Sequence, residues 1–87
     1  MPELLESKDN AVDFITFNVD EEAVTIVVTK DANGTYLGDR TFDENGPVPE
    51  KESATAAKSA AKSALDKDAA KVEITLQPDG KYAVAAT

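Results

Sequence analysis

The pair Asn33-Gly34 constrains the fold more than any other feature of this sequence, because it lies between two strand-like runs. Both residue types tolerate positive φ, which a tight hairpin turn requires. The runs on either side, residues 23–30 and about 35–42, are rich in β-branched, aromatic and other apolar side chains. We therefore predict two antiparallel strands joined at this turn.

A second hairpin is predicted near the end of the sequence. Residues 71–77 alternate between apolar and polar side chains, which is the period of a half-buried strand. Pro78, Asp79 and Gly80 are a turn signal, and residues 81–86 return with strand-like composition. These segments should form the last two strands of the fold.

Residues 50–66 are predicted to form a helix between the two hairpins. The segment is rich in Ala, which has the highest helix propensity, and it contains neither Gly nor Pro. An apolar stripe should face the sheet: Ala54, Ala57, Ala61, Ala64 and Leu65. A basic stripe runs along its flank: Lys51, Lys58 and Lys62. Because methyl groups bury little apolar area, we expect a domain of modest stability.

Residues 11–19 are interpreted as the first strand, in a hairpin with residues 23–30, because β-branched and aromatic side chains dominate the run. The prediction is an α+β fold with a single helix packed on an antiparallel or mixed sheet of about five strands, in the order β-β-β-α-β-β. Residues 1–10 are expected to be a flexible or short helical N-terminal segment. Residues 11–87 should form a single α+β domain, because this length supports one core.

Phe14 and Phe17 have opposite parity in the predicted first strand, so one of them should be exposed. An exposed Phe14 beside Val12 would form an interaction patch. Burial of Phe14 under the N-terminal segment, around Leu4 and Leu5, is the structural alternative. Both interpretations are left open by the sequence.

The sequence contains no His and no Cys. These are the commonest general base and the most nucleophilic side chain in enzymes. Ser59 and Lys62 have the Ser-x-x-Lys spacing of some hydrolases, but a helix rich in Ala, Ser and Lys produces that spacing by composition alone. We therefore predict no catalytic residues and no enzyme activity.

Two loops contain Asp, Asn and Gly together, and Asp and Asn supply the oxygen ligands that calcium sites use. Residues 31–34 match the start of an EF-hand loop, but Phe42 stands where the bidentate Glu would be. Residues 43–46 are a second, weaker candidate. The four glycines do not cluster into a phosphate-binding loop. We predict neither a metal site nor a cofactor.

Charge is the remaining clue to function. Nine Lys and Arg against seventeen Asp and Glu give a net charge of -8, which disfavours direct binding to nucleic acids or to anionic membranes. The candidate partner-binding residues form a predicted acidic rim: Asp20, Glu21, Glu22, Asp39, Asp43 and Glu44. The basic stripe of Lys51, Lys58 and Lys62 is a secondary candidate.

The leading hypothesis is a small, non-enzymatic, acidic protein-binding module of inhibitor or adaptor type, which uses an acidic sheet edge or face to bind a protein with a basic surface. One alternative is a structural or assembly component that self-associates through a strand edge, with residues 81–86 as the candidate strand. Another is a nucleic-acid mimic or weak nucleic-acid binder. A monomer or homodimer is expected.

The cytoplasm is the expected location, in a host cell or a phage-infected cell. The first residues, Met-Pro-Glu-Leu-Leu-Glu, lack the basic region and the apolar run of a signal peptide. No segment has the length and hydrophobicity of a membrane span.

Overall fold

The computed structural model describes residues 2–87, which form five strands and two helices. Their order along the chain is β1 (Glu3–Leu5), α1 (Lys8–Asp20), β2 (Thr25–Lys30), β3 (Tyr36–Thr41), α2 (Lys51–Asp66), β4 (Lys71–Leu76) and β5 (Tyr82–Ala86). The strands form one sheet in the order β1-β3-β2-β4-β5, and every neighbouring pair is antiparallel. The α+β class and the five-stranded sheet are confirmed.

The main correction concerns residues 11–19, which lie in helix α1 and not in a strand. Ser7 caps this helix, because its Oγ accepts a hydrogen bond of 3.1 Å from the backbone N–H of Asn10. The buried side chains recur at helical spacing: Ala11, Phe14, Ile15, Asn18 and Val19. One buried face stabilises a helix despite its β-branched residues, since tertiary packing overrides local propensity. The predicted single helix and the order β-β-β-α-β-β are therefore wrong.

The N-terminal segment supplies the strand that residues 11–19 do not. Strand β1 pairs with β3, with Leu4 opposite Leu37 and Leu5 opposite Tyr36, so residues 3–5 form a strand and not a helix. The Leu5 side chain is buried in the core. The short strand β1 is therefore held in the sheet by its pairing with β3 and by the burial of the Leu5 side chain beside α1.

Both predicted hairpins are present. In the first, the backbone N–H of Asp31 donates to the carbonyl of Thr35 at 2.7 Å, and Gly34 has a φ of +83°. In the second, the backbone N–H of Gln77 donates to the carbonyl of Lys81 at 2.8 Å. Strand β4 pairs with β2 on the side of β2 that does not pair with β3, so the two hairpins form one continuous sheet.

Both helices pack on one face of the sheet, and the other face is open. The predicted apolar stripe of α2 is confirmed, since Ala57, Ala61 and Leu65 are buried and Ala54 and Ala64 are partly buried against them. Ion pairs at both ends of α1 join it to α2, Lys8 to Asp66 at 3.2 Å and Asp20 to Lys58 at 2.7 Å. The open face carries the outward residues of the strands.

Candidate functional site

The six connections between the helices and strands lie at two ends of the sheet, and one end has the larger group of acidic residues. At this end α1 ends, β2 begins, β3 ends, α2 begins, and the β4–β5 turn lies. Backbone hydrogen bonds join these segments: Val24 N–H to Thr41 C=O at 2.8 Å, Leu76 N–H to Val24 C=O at 2.8 Å, and Glu50 N–H to Gly80 C=O at 2.9 Å. We call this region the acidic end.

Five of the six predicted rim residues lie at the acidic end. Asp20, Glu21 and Glu22 close α1, where Glu22 adopts a left-handed φ of 65°. The backbone N–H of Glu22 donates to the carbonyl of Val19 at 3.0 Å, which holds this helix end in place. Asp43 and Glu44 follow β3, and Asp43 Oδ1 accepts a hydrogen bond of 2.9 Å from the backbone N–H of Asn45.

The sixth residue, Asp39, lies elsewhere. It is on the open face of the sheet, directly opposite Val27 on β2. Its Oδ1 accepts a hydrogen bond of 2.8 Å from the backbone N–H of Arg40. Asp39 lines a shallow groove of about 360 Å³ on the open face, together with Thr25 and Leu37. The structure therefore separates Asp39 from the rest of the predicted rim.

Sequence reasoning missed three further carboxylates of the acidic end. Glu50 and Glu52 begin α2, and Asp79 occupies the β4–β5 turn. The order of helices and strands determines which connections lie at the same end of the sheet, so these three residues could have been added to the rim only if residues 8–20 had been predicted as a helix. The acidic end then holds eight carboxylates: Asp20, Glu21, Glu22, Asp43, Glu44, Glu50, Glu52 and Asp79. Three basic side chains accompany them: Lys51, Lys58 and Lys81.

The opposite end of the sheet is balanced in charge. Its acidic residues are Glu6, Asp9, Asp31, Asp66 and Asp68, and its basic residues are Lys8, Lys30, Lys62, Lys67 and Lys71. Several are paired: Lys8 lies 3.2 Å and Lys62 3.3 Å from Asp66, and Lys30 lies 3.6 Å from Asp68. Hydrogen bonds from Lys8 and then Lys62 lower the pKa of the Asp66 carboxyl.

Two large aromatic side chains are exposed on the α1 and β3 side of the acidic end. Phe17 is 62% exposed and Phe42 is 55% exposed. Phe14, one turn before Phe17, is buried beside Leu5, and the Arg40 guanidinium lies 5.4 Å from the centre of its ring. The expected exposed phenylalanine is thus Phe17, and the patch of Phe14 with Val12 is wrong.

The basic stripe faces α1 and is partly used within the protein. Lys58 Nζ donates to Asp20 Oδ1 at 2.7 Å, and Lys62 Nζ donates to Asp66 Oδ2 at 3.3 Å. Lys51 lies at the acidic end, at the start of α2. The stripe is therefore not a continuous free cationic surface.

Within residues 2–87, no group of three or more carboxylates is arranged to hold a metal ion. Residues 31–34, considered above as a partial calcium loop, form the β2–β3 turn, in which Gly34 N–H donates to Asp31 C=O at 3.1 Å. Across the same residues, neither helix is long and apolar enough to cross a membrane. Comparisons with protein-family models, curated proteins and solved structures found no match.

Proposed function

We propose that the protein is a small, non-enzymatic binding module that docks its acidic end on a basic surface of another protein. The observation that carries the proposal is the separation of charge between the two ends of the sheet. Eight carboxylates with three lysines occupy one end, whereas the other end has equal numbers of acidic and basic side chains. A solubilising charge has no need to be concentrated in this way.

Electrostatics of this kind favours fast and selective association. A cluster of like charges raises the local concentration of an oppositely charged partner and orients it before contact. The effect is screened over about 8 Å at physiological salt, so binding should weaken as salt rises. Of the carboxylates at this end, Asp20 is held by Lys58. Glu21, Glu22 and Glu44 are exposed and form no ion pair with the described residues.

Apolar contacts would add affinity to this steering. Interfaces gain most of their free energy from a few bulky side chains, and charged rims contribute less. Phe42 is next to Asp43 in the chain, and Phe17 is one helical turn before Glu21. The partner should therefore present apolar side chains among Lys and Arg.

The test is an affinity capture from a lysate of the source cell at low and high salt, followed by measurement of Kd with the purified partner. The rim variant changes Glu21→Gln, Glu22→Gln, Asp43→Asn and Glu44→Gln. We expect it to weaken binding about tenfold or more at low salt, because several charge pairs are lost.

A matched control removes the same charge elsewhere, with Glu6→Gln, Asp9→Asn, Asp13→Asn and Asp31→Asn. We expect less than about a threefold change, since these residues contribute only to the long-range field. Equal losses in both variants would show that net charge alone matters, and unchanged binding in the rim variant would refute the proposal. Phe42→Ala tests the apolar part by the same measurement.

A further inference from the structure

Strand β5 has an outer edge whose backbone groups point away from the sheet. The backbone N–H of Thr87 donates to Lys71 C=O at 3.0 Å, and Gln77 N–H donates to Lys81 C=O at 2.8 Å. Because hydrogen-bonded pairs alternate in an antiparallel ladder, Ala83 and Ala85 direct their backbone groups to β4. Tyr82, Val84 and Ala86 therefore direct theirs outward.

From Val84 onward this edge lacks the usual features that prevent strand pairing, whereas the outward N–H of Tyr82 already donates to Ser53 Oγ. Residues 82–87 read Tyr-Ala-Val-Ala-Ala-Thr and contain no charge and no Pro, in a chain in which 30% of residues are charged. The opposite edge is different, because β1 has only three residues and follows Pro2. Of the two edge strands, β5 is therefore the longer and the less protected.

The two ends of the β5 edge differ in shape: α2 covers the end at Tyr82, which we call the raised end, and a groove lies beside the end at Ala86, which we call the recessed end. At the raised end, the first turn of α2 overlies the edge, and Ser53 Oγ accepts a hydrogen bond of 2.8 Å from the backbone N–H of Tyr82. At the recessed end, a groove of about 470 Å³ runs between α2 and the end of β5. It is lined mainly by small side chains, including Ala60, Ala64 and Ala86, with Lys67 at its rim.

We propose that β5 is a homodimerisation strand, which pairs antiparallel with β5 of a second copy about a two-fold axis at Val84. This symmetry places the raised end of each copy against the recessed end of the other. The first turn of α2 then enters the groove beside Ala60 and Ala64, which are small enough to receive it. The surface is self-complementary in shape, as an isologous interface must be.

The charges are self-complementary as well. Glu52 lies in the first turn of α2 and Lys67 directly follows its last turn, so the axis brings Glu52 of each copy towards Lys67 of the other. Both residues are exposed, and neither forms an ion pair within residues 2–87. Between them the flank of α2 beside β5 carries only small residues, among them Ala56 and Ser63. These permit the two helices to approach closely.

The first experiment measures the molar mass of the intact chain by sedimentation over a concentration series. We expect a dimer with a Kd on the order of 10 μM, as for other small interfaces. Val84→Pro removes an outward N–H, so it should be folded by circular dichroism and monomeric. Ala85→Pro is the matched control, because it removes an N–H directed to β4 and should destabilise the fold. A wild-type chain that stays monomeric to about 1 mM would overturn the proposal.

Charge reversal supplies a second test that needs no change in the strand. Glu52→Lys and Lys67→Glu should each weaken the dimer on the order of tenfold, because each breaks two symmetry-related pairs. The double variant should restore the wild-type Kd. Lys51→Glu, on the flank of α2 remote from β5, is the control and should leave Kd unchanged. A dimer that survives Val84→Pro, or single reversals without effect, would place the interface elsewhere.

Discussion

At the scale of single residues, Gly38 decides how closely α1 approaches the sheet. A Cβ at this position would lie 2.7 Å from Phe14 Cε2 and 2.9 Å from Leu5 Cδ1, which is closer than carbon atoms pack. The phenyl ring of Phe14 therefore lies directly on the backbone of β3. The absence of a side chain at residue 38 lets α1 and β1 share one core.

We predict that Gly38→Ala lowers the free energy of unfolding by about 1–3 kcal/mol, because the added methyl forces Phe14 or Leu5 to move. Urea denaturation monitored by circular dichroism measures the change. Gly34→Ala is the comparison, because that position has no neighbour within 4 Å but has a φ of +83°. Its cost of about 1 kcal/mol should be purely conformational. A wild-type midpoint for Gly38→Ala would contradict the close packing.

At the scale of elements, the two helices differ in how their N-termini are capped. Ser7 accepts a hydrogen bond from the N–H of Asn10 and so satisfies one free donor of α1. Glu50 occupies the same position in α2 but makes no side-chain hydrogen bond to the helix. The longer Glu side chain fits this cap less well than Ser, Thr, Asp or Asn.

We predict that Glu50→Asp stabilises the protein by about 0.5–1 kcal/mol, because the shorter carboxylate can accept from the first free N–H groups of α2 while the charge is kept. Ser7→Ala should have the opposite effect, a loss of about 1 kcal/mol. Thermal and urea unfolding of the two variants measure both. A destabilised Glu50→Asp protein would mean that contacts of the longer Glu side chain outweigh the cap.

At the scale of the whole molecule, the acidic end also affects the titration of the core. Tyr82 is buried, and its hydroxyl donates to Ala23 C=O at 3.3 Å. Burial raises the pKa of Tyr82 above its ordinary value of 10.0, and the charges of Glu22 and Asp20 raise it further. The folded state therefore holds the phenol proton more tightly than the unfolded state does.

This shift predicts a loss of stability in alkaline solution. Below the ordinary pKa of 10.0 both states keep the proton of Tyr82, and the stabilising contribution is complete. As pH rises through the raised native pKa, the contribution is lost. Urea unfolding between about pH 9 and pH 12 measures it. The free energy of unfolding of the Tyr82→Phe variant should fall less steeply with pH over this range. If the free energies of the two proteins fell in parallel, the loss of stability would not come from Tyr82.

The whole molecule also explains which predictions from sequence succeeded. The two hairpins and α2 were predicted closely, because Asn33-Gly34, the alternation in residues 71–77 and the Ala-rich segment are local signals. Helix α1 was not, because its β-branched and aromatic composition resembles that of a strand. Ser7, an N-cap residue, and the apolar residues at helical spacing after it favour a helix, but the strand-like composition outweighed them in the prediction.

The candidate site likewise combines features that are local in the sequence with features that only the fold creates. Asp20, Glu21, Glu22, Asp43 and Glu44 were identified from sequence as charged segments between elements. That they share one end with Glu50, Glu52 and Asp79 follows only from the element order and sheet topology. Asp39 was predicted to belong to the rim, but its position in β3 places it on the open face of the sheet, away from the other rim residues.

The sequence by itself determined the local features of this protein: its turns, its Ala-rich helix, its net charge and the strands whose side chains alternate. Each depends on residues close together in the chain, where propensity and periodicity act directly. Only the tertiary structure decided that residues 11–19 form a helix, that β4 lies beside β2, and that β5 is an edge. These depend on burying one shared apolar face, and that free energy arises from contacts between segments distant in sequence.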